Sequence, residues 1–542
     1  MFQTLLTPER IARETAAGYW RDKVITDFLD LHAAATPDKV AFVDGHRQVT
    51  FAQLSAEVDR VALGFLARGI KPGDVISFQL PNRIEWIVVH YAATRIGAIS
   101  NPLIPIYRER EVGFMIGLAR PALIVVPKQF RDFDYPRMLA GLASSWDFTP
   151  DVAVLGEPSW DDLVGTPWEE RQDPAVLDHL RPDPNDVTLL IFTSGTTGEP
   201  RGVMHTHNTL VAANDPLPAR LGITADSVLH MASTLAHLTG FLYGARLNVQ
   251  NGATCVLQEV WDPGAFVELV ESHGITYTSA ATPFLHDLVT APNLTEHDTS
   301  SLARFCCMGA PIPRAMVREA KAKLPGLVVV GGWGQTEEGL ATIGIPGDPE
   351  EKIIETDGYP WPGMEIRVVD PASGVECPAG TEGALQVRGP FLFVGYAERL
   401  ELTREQMRPA GDGRGEWFDT GDLAYLDTDG YLRISGRTKD VIIRGGENIP
   451  VAYIENVLYE HPDIDAVAVV AIPDPRLQER ACACVVLKPG ASTLTFERMR
   501  EFLADKGVAK QYWPERLVLL DDLPKTPSGK IRKFQLREQV AE

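Results

Sequence analysis

Chemistry is first visible at Ile191-Phe-Thr-Ser-Gly-Thr-Thr-Gly-Glu-Pro-Arg-Gly202, where an apolar strand runs into hydroxyls and glycines with a single cation. Glycines let successive backbone N–H groups turn toward an anion, hydroxyls add donors, and Arg201 supplies charge, so the segment predicts a phosphate cradle. No Gly-Lys-Ser/Thr closes it, which argues against a Walker loop and hence against a P-loop NTPase or kinase. Thr336-Glu337 offers a second combination: a hydroxyl for phosphate beside a carboxylate able to hold Mg²⁺, a hard cation that takes oxygen ligands. Alone, a Gly-rich loop is more often a polar turn and a Thr-Glu pair a helix start. What decides is the company they keep.

The elements that must position these groups can be read from periodicity. Up to about residue 140, helical and strand patterns alternate as in a parallel sheet. Thr50 and Gln53 form a capping box ahead of Leu54, Val58, Val61 and Phe65 at helical spacing, with Gly69 as the stop. Strands are expected at 75–80 and 122–126, and a helix at 84–96. The stretch 144–186, rich in Pro, Asp and Trp, reads as an irregular connection. Alternation resumes with strands at 187–192, 254–257, 275–279, 304–307 and 327–330, a second doubly wound unit. From 363 to 434 the pattern turns to short strands, with Asp429-Gly430 as a hairpin signal. A smaller α+β pattern follows, with helices at 451–459 and 496–506 and strands at 466–471 and 481–487. The fold class is therefore α/β, a large N-terminal domain of two doubly wound subdomains plus a small β-rich one, followed by a small α+β domain.

Composition narrows the partners. The 542 residues carry 51 Lys and Arg against 73 Asp and Glu, a net charge of −22. So acidic a chain is a poor reader of nucleic-acid phosphates, which demand clustered cations. With 45% hydrophobic and 23% charged residues the chain can bury large cores and is not of disordered type. No apolar run approaches a membrane span, and 1–20 has no signal-peptide core, so a cytoplasmic location is expected. Cys306-Cys307 and Cys482-x-Cys484 lack zinc spacing, and six cysteines in such a length are not a disulfide scaffold.

Thr193-Ser-Gly-Thr-Thr-Gly-Glu-Pro-Arg-Gly202 resembles the phosphate loop of the adenylate-forming superfamily, which comprises acyl-CoA synthetases, adenylation domains and luciferases. Met308-Gly-Ala-Pro311, Gly332-Trp-Gly-Gln-Thr-Glu337, Trp417-Phe-Asp-Thr-Gly-Asp422, Gly436-Arg-Thr-Lys-Asp440 and Pro524-Lys-Thr-Pro-Ser-Gly-Lys530 follow in that family's order. The likeness runs from about Thr50 to Lys530. It implies ATP, Mg²⁺ and coenzyme A, an N-terminal domain over 1–436, and a mobile C-terminal domain over 437–542 hinged near Lys439.

The resemblance also assigns roles. Thr193, Ser194, Gly195, Thr196, Thr197, Gly198 and Arg201 would hold phosphate, and Glu337 the metal. Gly309, Ala310 and Pro311 would line the adenine, with Gly334 nearby and Trp333, where the family usually has Tyr, stacking on the base. Thr336 would touch phosphate. Asp422 would accept both ribose hydroxyls, with Arg437 as a second ribose or phosphate contact. His237 falls at the gate between acyl and nucleotide pockets, Gly446 at the pantetheine tunnel, and Lys530 at the catalytic lysine. Arg201 stands where the family's loop has lysine, trading a point charge for a planar fork.

Three functions follow as alternatives. An acid–CoA ligase forms acyl-AMP and pyrophosphate, then acyl-CoA and AMP. An adenylation enzyme would load a carrier protein, and a catalytically dead homologue would only bind. Glu337, Asp422, Arg437 and Lys530 are of the needed types, against a dead homologue. An amino-acid substrate needs a buried anion, yet Leu238 follows the gate and 231–244 holds no carboxylate. The short span after Lys530 also suggests no attached carrier domain. A ligase is the expectation. Leu235, Phe241, Phe284 and Leu340 are candidate acyl-pocket walls, implying a small or medium hydrophobic acid: alicyclic, medium-chain or aromatic. The chain looks most like cyclohexanecarboxylate-CoA ligases and related medium-chain or aromatic acid ligases. A homodimer stays open.

Overall fold

The computed structural model describes residues 2–193, 200–310, 312–437, 442–444, 447–449, 451–474, 476, 478–491, 493–526 and 530–540. Two large sheets form the bulk of it. In the first, the strands Asp151–Leu155, Leu123–Pro127, Val75–Phe78, Ile99–Pro102 and Val187–Thr193 run parallel in that spatial order, and Arg201–Thr206 and Gly395–Tyr396 extend the edge antiparallel. Val75–Phe78 and Leu123–Pro127 are buried along their whole length, as expected of strands covered on both faces.

The second sheet has a parallel centre: Val328–Gln335, Arg304–Met308, Tyr277–Ala280, Val228–Met231, Thr254–Leu257 and Val40–Val43. Alternate side chains on Arg304–Met308 separate its two faces. Cys306 and Met308 join the core shared with the first sheet, whereas Phe305 and Cys307 pack among Phe266, Leu285 and Val317. The Leu238–Tyr243 helix lies on the former face.

The chain does not divide between these sheets in sequence order. Val40–Val43, from the first unit, pairs with Thr254–Leu257 in the second sheet, and Val187–Thr193, expected to start the second unit, pairs with Ile99–Pro102 in the first. The expectation of two sequential units is corrected accordingly. Nor is 144–186 irregular. It holds the strand Asp151–Leu155, which caps the first sheet beside Leu123–Pro127, and the helix Pro158–Gly165, whose Trp160 and Leu163 enter the core. Pro158 and Pro174 sit at helix starts, where a missing N–H costs little.

Local signals fare well elsewhere. Thr50 Oγ1 accepts from the Gln53 amide at 3.2 Å and Gln53 Oε1 from the Thr50 amide at 2.9 Å, opening the Phe51–Ala67 helix. Gly69 ends that turn at a φ of +81°, which glycine adopts without strain.

A third sheet carries Glu365–Val369, Gly383–Arg388, Trp417–Leu426 and Leu432–Arg437, and a fourth carries Ile464–Asp474, Gln478–Leu487 and Arg516–Leu519 with the Val451–Tyr459 helix packed on it. No helix of the described residues is long and apolar enough to cross a membrane.

Candidate active site

Strand pairing builds the centre of the site. In the third sheet Trp417–Leu426 and Leu432–Arg437 run antiparallel with Asp422 opposite Arg437, and Arg437 Nε lies 2.9 Å from Asp422 Oδ1. From the second sheet, Trp333 and Gln335 share one side of Val328–Gln335. The Trp333 indole N–H and the Gln335 amide each donate to Asp422 Oδ2 at 2.9 Å. Asp422 is only 3% exposed, so these charge-assisted bonds are made in a poorly screened place.

Thr336, Glu337 and Glu338 form the turn between Val328–Gln335 and Gly339–Ile343. A Cβ at Gly334 would come within 1.8 Å of the Gly339 carbonyl oxygen, so the close approach of the two strands fixes glycine there. His205 Nε2 donates to the Thr336 carbonyl at 2.7 Å, and burial holds His205 down at about 4, hence neutral. The Phe393 amide donates to the Glu337 carbonyl at 2.7 Å. The Glu337 side chain accepts from the Tyr396 hydroxyl at 2.7 Å. Arg201 Nη1 reaches that same hydroxyl at 3.5 Å, its guanidinium carbon 5.3 Å from the Tyr396 ring centre. The loop cation is thereby tied through Tyr396 to the carboxylate expected to hold metal.

Lys530 closes the site from the other side. Its backbone is held by Thr526, whose Oγ1 accepts from the Lys530 amide at 3.0 Å. Its side chain meets Gly309 (φ +80°), at which a Cβ would stand 3.8 Å from Lys530 Cε. Ser233, His237, Thr239, Ala281 and Met308 complete the small cavity around them. Burial, then Arg437, pulls the Lys530 ammonium down to about 8, against the opposing pull of Asp422, Glu337 and Glu338. His237 caps the Leu238–Tyr243 helix, its Nδ1 accepting from the Thr239 amide at 3.3 Å. Burial, then Lys530, lowers it to about 3, so it faces the cavity as a neutral ring.

Thr193, Arg201, His237, Gly309, Ala310, Trp333, Gly334, Thr336, Glu337, Asp422, Arg437 and Lys530 lie among the described residues, and Thr193 stands opposite Arg201 in the strand register. Ser194, Gly195, Thr196, Thr197, Gly198, Pro311, Lys439 and Gly446 lie outside the described residues. The expected acyl wall Phe241 packs against Trp86 and His90, with ring centres 5.9 and 4.7 Å off, and is not among the residues lining the small cavity by Lys530. Sequence reasoning missed Gln335, His205 and Tyr396, whose roles come from pairing distant strands. It also missed Glu338, which is fully buried beside the Gln335 backbone. Burial, then Glu337, raises that carboxyl well above its usual range. Its adjacency to Glu337 was the available signal.

The chain matches the AMP-binding enzyme family over residues 29–397 and the AMP-binding enzyme C-terminal domain over 453–530. It is 35% identical to a medium-chain fatty-acid–CoA ligase of Escherichia coli, across 98% of this chain and 93% of that one. It is 33% identical to a salicylyl-CoA synthase / salicylate adenylyltransferase of a Streptomyces species, across 98% and 96%. ATP-bound MatB from Rhodopseudomonas palustris superposes with a TM-score of 0.84 at 28% identity, over 95% of this chain and 99% of that one. With two family domains in order and relatives alike end to end, the chain belongs to the AMP-binding enzyme family, among its AMP-forming acyl-CoA synthetases.

Proposed function

We propose that this enzyme ligates a small or medium ring-bearing or medium-chain carboxylic acid to coenzyme A in two steps, from within the cytoplasm. One observation carries the reading: Asp422–Arg437, Thr336-Glu337 and the Lys530 ammonium converge on one cleft whose next cavity is lined by His237 and Thr239. In the first step a substrate carboxylate oxygen attacks the ATP α-phosphorus, the bond to the bridging oxygen breaks, and pyrophosphate leaves. In the second the CoA thiolate attacks the acyl carbon and AMP departs.

The residues divide this labour by charge. Asp422 accepts the ribose hydroxyls, its carboxylate already aimed by Trp333, Gln335 and Arg437. Lys530 lies where negative charge builds as pyrophosphate leaves, which favours the transition state over the ground state. Neutral His237 can border the acid without repelling or trapping its carboxylate. Glu337 suits a divalent cation: it is a buried carboxylate whose Oε1 accepts from Tyr396, with Oε2 in no hydrogen bond among the described residues. Mg²⁺ held there would neutralise phosphate charge. Arg201 presents its fork beside the same carboxylate. Lys439 as hinge and Gly446 at the thiol's path complete the proposal.

Pyrophosphate release across a panel of carboxylic acids, with and without CoA, tests it. Acid-dependent release together with CoA-dependent AMP formation is expected. Pyrophosphate release with no thioester from any acid would instead favour loading of a carrier protein.

A further inference from the structure

The Pro8–Ala16 helix, ahead of the family-matched residues, lies against the loop 389–394 that leads from the third sheet to the edge strand Gly395–Tyr396. Thr7 caps the helix, its Oγ1 accepting from the Arg10 amide at 3.2 Å, and Pro8 occupies the first turn, where no N–H is needed. From that turn the Arg10 guanidinium reaches the loop, Nη1 donating to the Phe393 carbonyl at 3.1 Å and Nη2 to the Leu392 carbonyl. The Trp20 indole donates to the Pro390 carbonyl at 3.0 Å, and the Leu5 amide to the Val394 carbonyl at 2.8 Å. Four carbonyls of one loop thus accept from the N-terminal segment.

The amides of that loop engage the site. A peptide unit is planar, so the carbonyl of Leu392 and the N–H of Phe393 move as one body. Arg10 grips that unit at its oxygen, and its N–H donates to the Glu337 carbonyl at 2.7 Å. The next unit is gripped at the Phe393 oxygen, and its N–H, that of Val394, donates to the Met204 carbonyl at 2.9 Å. Two residues further on, the Tyr396 hydroxyl meets the Glu337 carboxylate. Arg10 is also close enough to His205, which holds the Thr336 carbonyl, for its charge to reach that ring. A planar fork on two successive carbonyls fixes both peptide planes, where an ammonium would fix one.

We propose that the N-terminal segment is a strap that sets the Thr336-Glu337 turn for the metal–nucleotide complex, with Arg10 as its positioning residue. Arg10 acts through the two peptide units rather than on substrate. The inference rests on the acyl-CoA synthetase reading above, in which Glu337 holds the divalent cation.

The test compares wild type with Arg10→Met, which keeps the bulk of the stem and removes the fork. ATP affinity is measured by titration calorimetry without acid, once with Mg²⁺ and once with EDTA, and acid-dependent pyrophosphate release gives KM for ATP and for the acid. The Mg²⁺-dependent gain in ATP affinity should fall about tenfold, the low end for losing an outer partner of a metal-holding residue. Affinity in EDTA, KM for the acid, and thioester formation from supplied acyl-AMP and CoA should stay at wild-type level. Arg10→Lys, able to reach one carbonyl, should recover part of the loss. Arg13→Ala, on the same helix but paired with Glu14 instead of the loop, should match wild type. Equal loss of ATP affinity with and without Mg²⁺, a parallel rise in KM for the acid, or a lowered Tm with unchanged Mg²⁺ dependence would overturn the assignment, each marking a merely structural role. Should Arg10→Met fail to fold, Arg10→Lys decides on the same readouts. A wild type that releases no pyrophosphate with any acid would sink the ligase reading, while the Mg²⁺ titration still judges the strap.

Discussion

The ribose-side cluster and the lysine facing it are held in opposite ways. Asp422 accepts from Trp333 and Gln335 and pairs with Arg437, groups on two sheets whose registers are fixed by strand pairing. Among the described residues Lys530 is anchored locally, through Thr526, and meets the large domain beside a bare glycine, Gly309. One half of the site is preorganised by strand pairing; the other, on the proposed mobile domain, would be delivered to it. The difference suits a two-step reaction, in which the nucleotide stays put while the group needed only for adenylation can withdraw.

Removing the delivered half should give the largest effect. Lys530→Ala should lose acid-dependent pyrophosphate release by ~10²-fold or more, comparable to deleting one preorganised electrostatic donor. The same variant should still turn supplied acyl-AMP and CoA into thioester at near wild-type rate. If both half-reactions fall together, the lysine is not confined to the first.

Damage to the fixed half should be felt wherever nucleotide is bound. Asp422→Ala removes a charged acceptor and should lower kcat/KM for ATP roughly ten- to hundredfold. Because Trp333, Gln335 and Arg437 lose their shared partner as well, Tm should be measured alongside. Unaltered ATP kinetics in a folded variant would contradict the ribose role.

Trp333→Phe keeps an aromatic ring but deletes one bond to Asp422. Because this bond only orients Asp422 and leaves Gln335 and Arg437 holding it, a loss of about 0.7–1.4 kcal/mol, or roughly three- to tenfold in KM for ATP, is expected, with KM for the acid unmoved. A shift in the acid's KM instead would place the indole on the acyl side.

The smallest effect is expected at a contact that helps bring the two halves together. His286 Nε2, in the large domain, lies 3.2 Å from Asp465 Oδ1 in the C-terminal domain, with Asp287 Oδ1 3.5 Å from Nδ1. Bonds to Asp287 and Asp465 raise His286 to about 9. Its contribution is therefore fully present below the ordinary histidine range and fades as pH rises through about 9. A half-exposed pair of this kind is worth ~0.2–1 kcal/mol, so His286→Ala should slow adenylation only about two- to fivefold at neutral pH. The ratio of wild type to variant should approach one above pH 9, a comparison in which the titration of Lys530 cancels. A ratio flat with pH would remove His286 from domain docking.

What the sequence determined by itself was the inventory of chemistry and the elements built from near neighbours. The capping box at Thr50 and Gln53, the Asp429-Gly430 hairpin that brings Asp422 opposite Arg437, and the helix at Val451–Tyr459 all depend on residues a few positions apart. The resemblance then assigned roles to groups that the structure gathers in one cleft, Lys530 with Gly309 and His237 among them. Only the tertiary structure decided which sheet each strand joins, because Val40–Val43 and Val187–Thr193 cross over to partners that no local pattern names. The same holds for Tyr396 between Arg201 and Glu337 and for the indole bond to Asp422. Those are facts about which polar atoms are shut away from water and what stands beside them. Burial and partnership of that kind arise only when segments far apart in the chain are packed together.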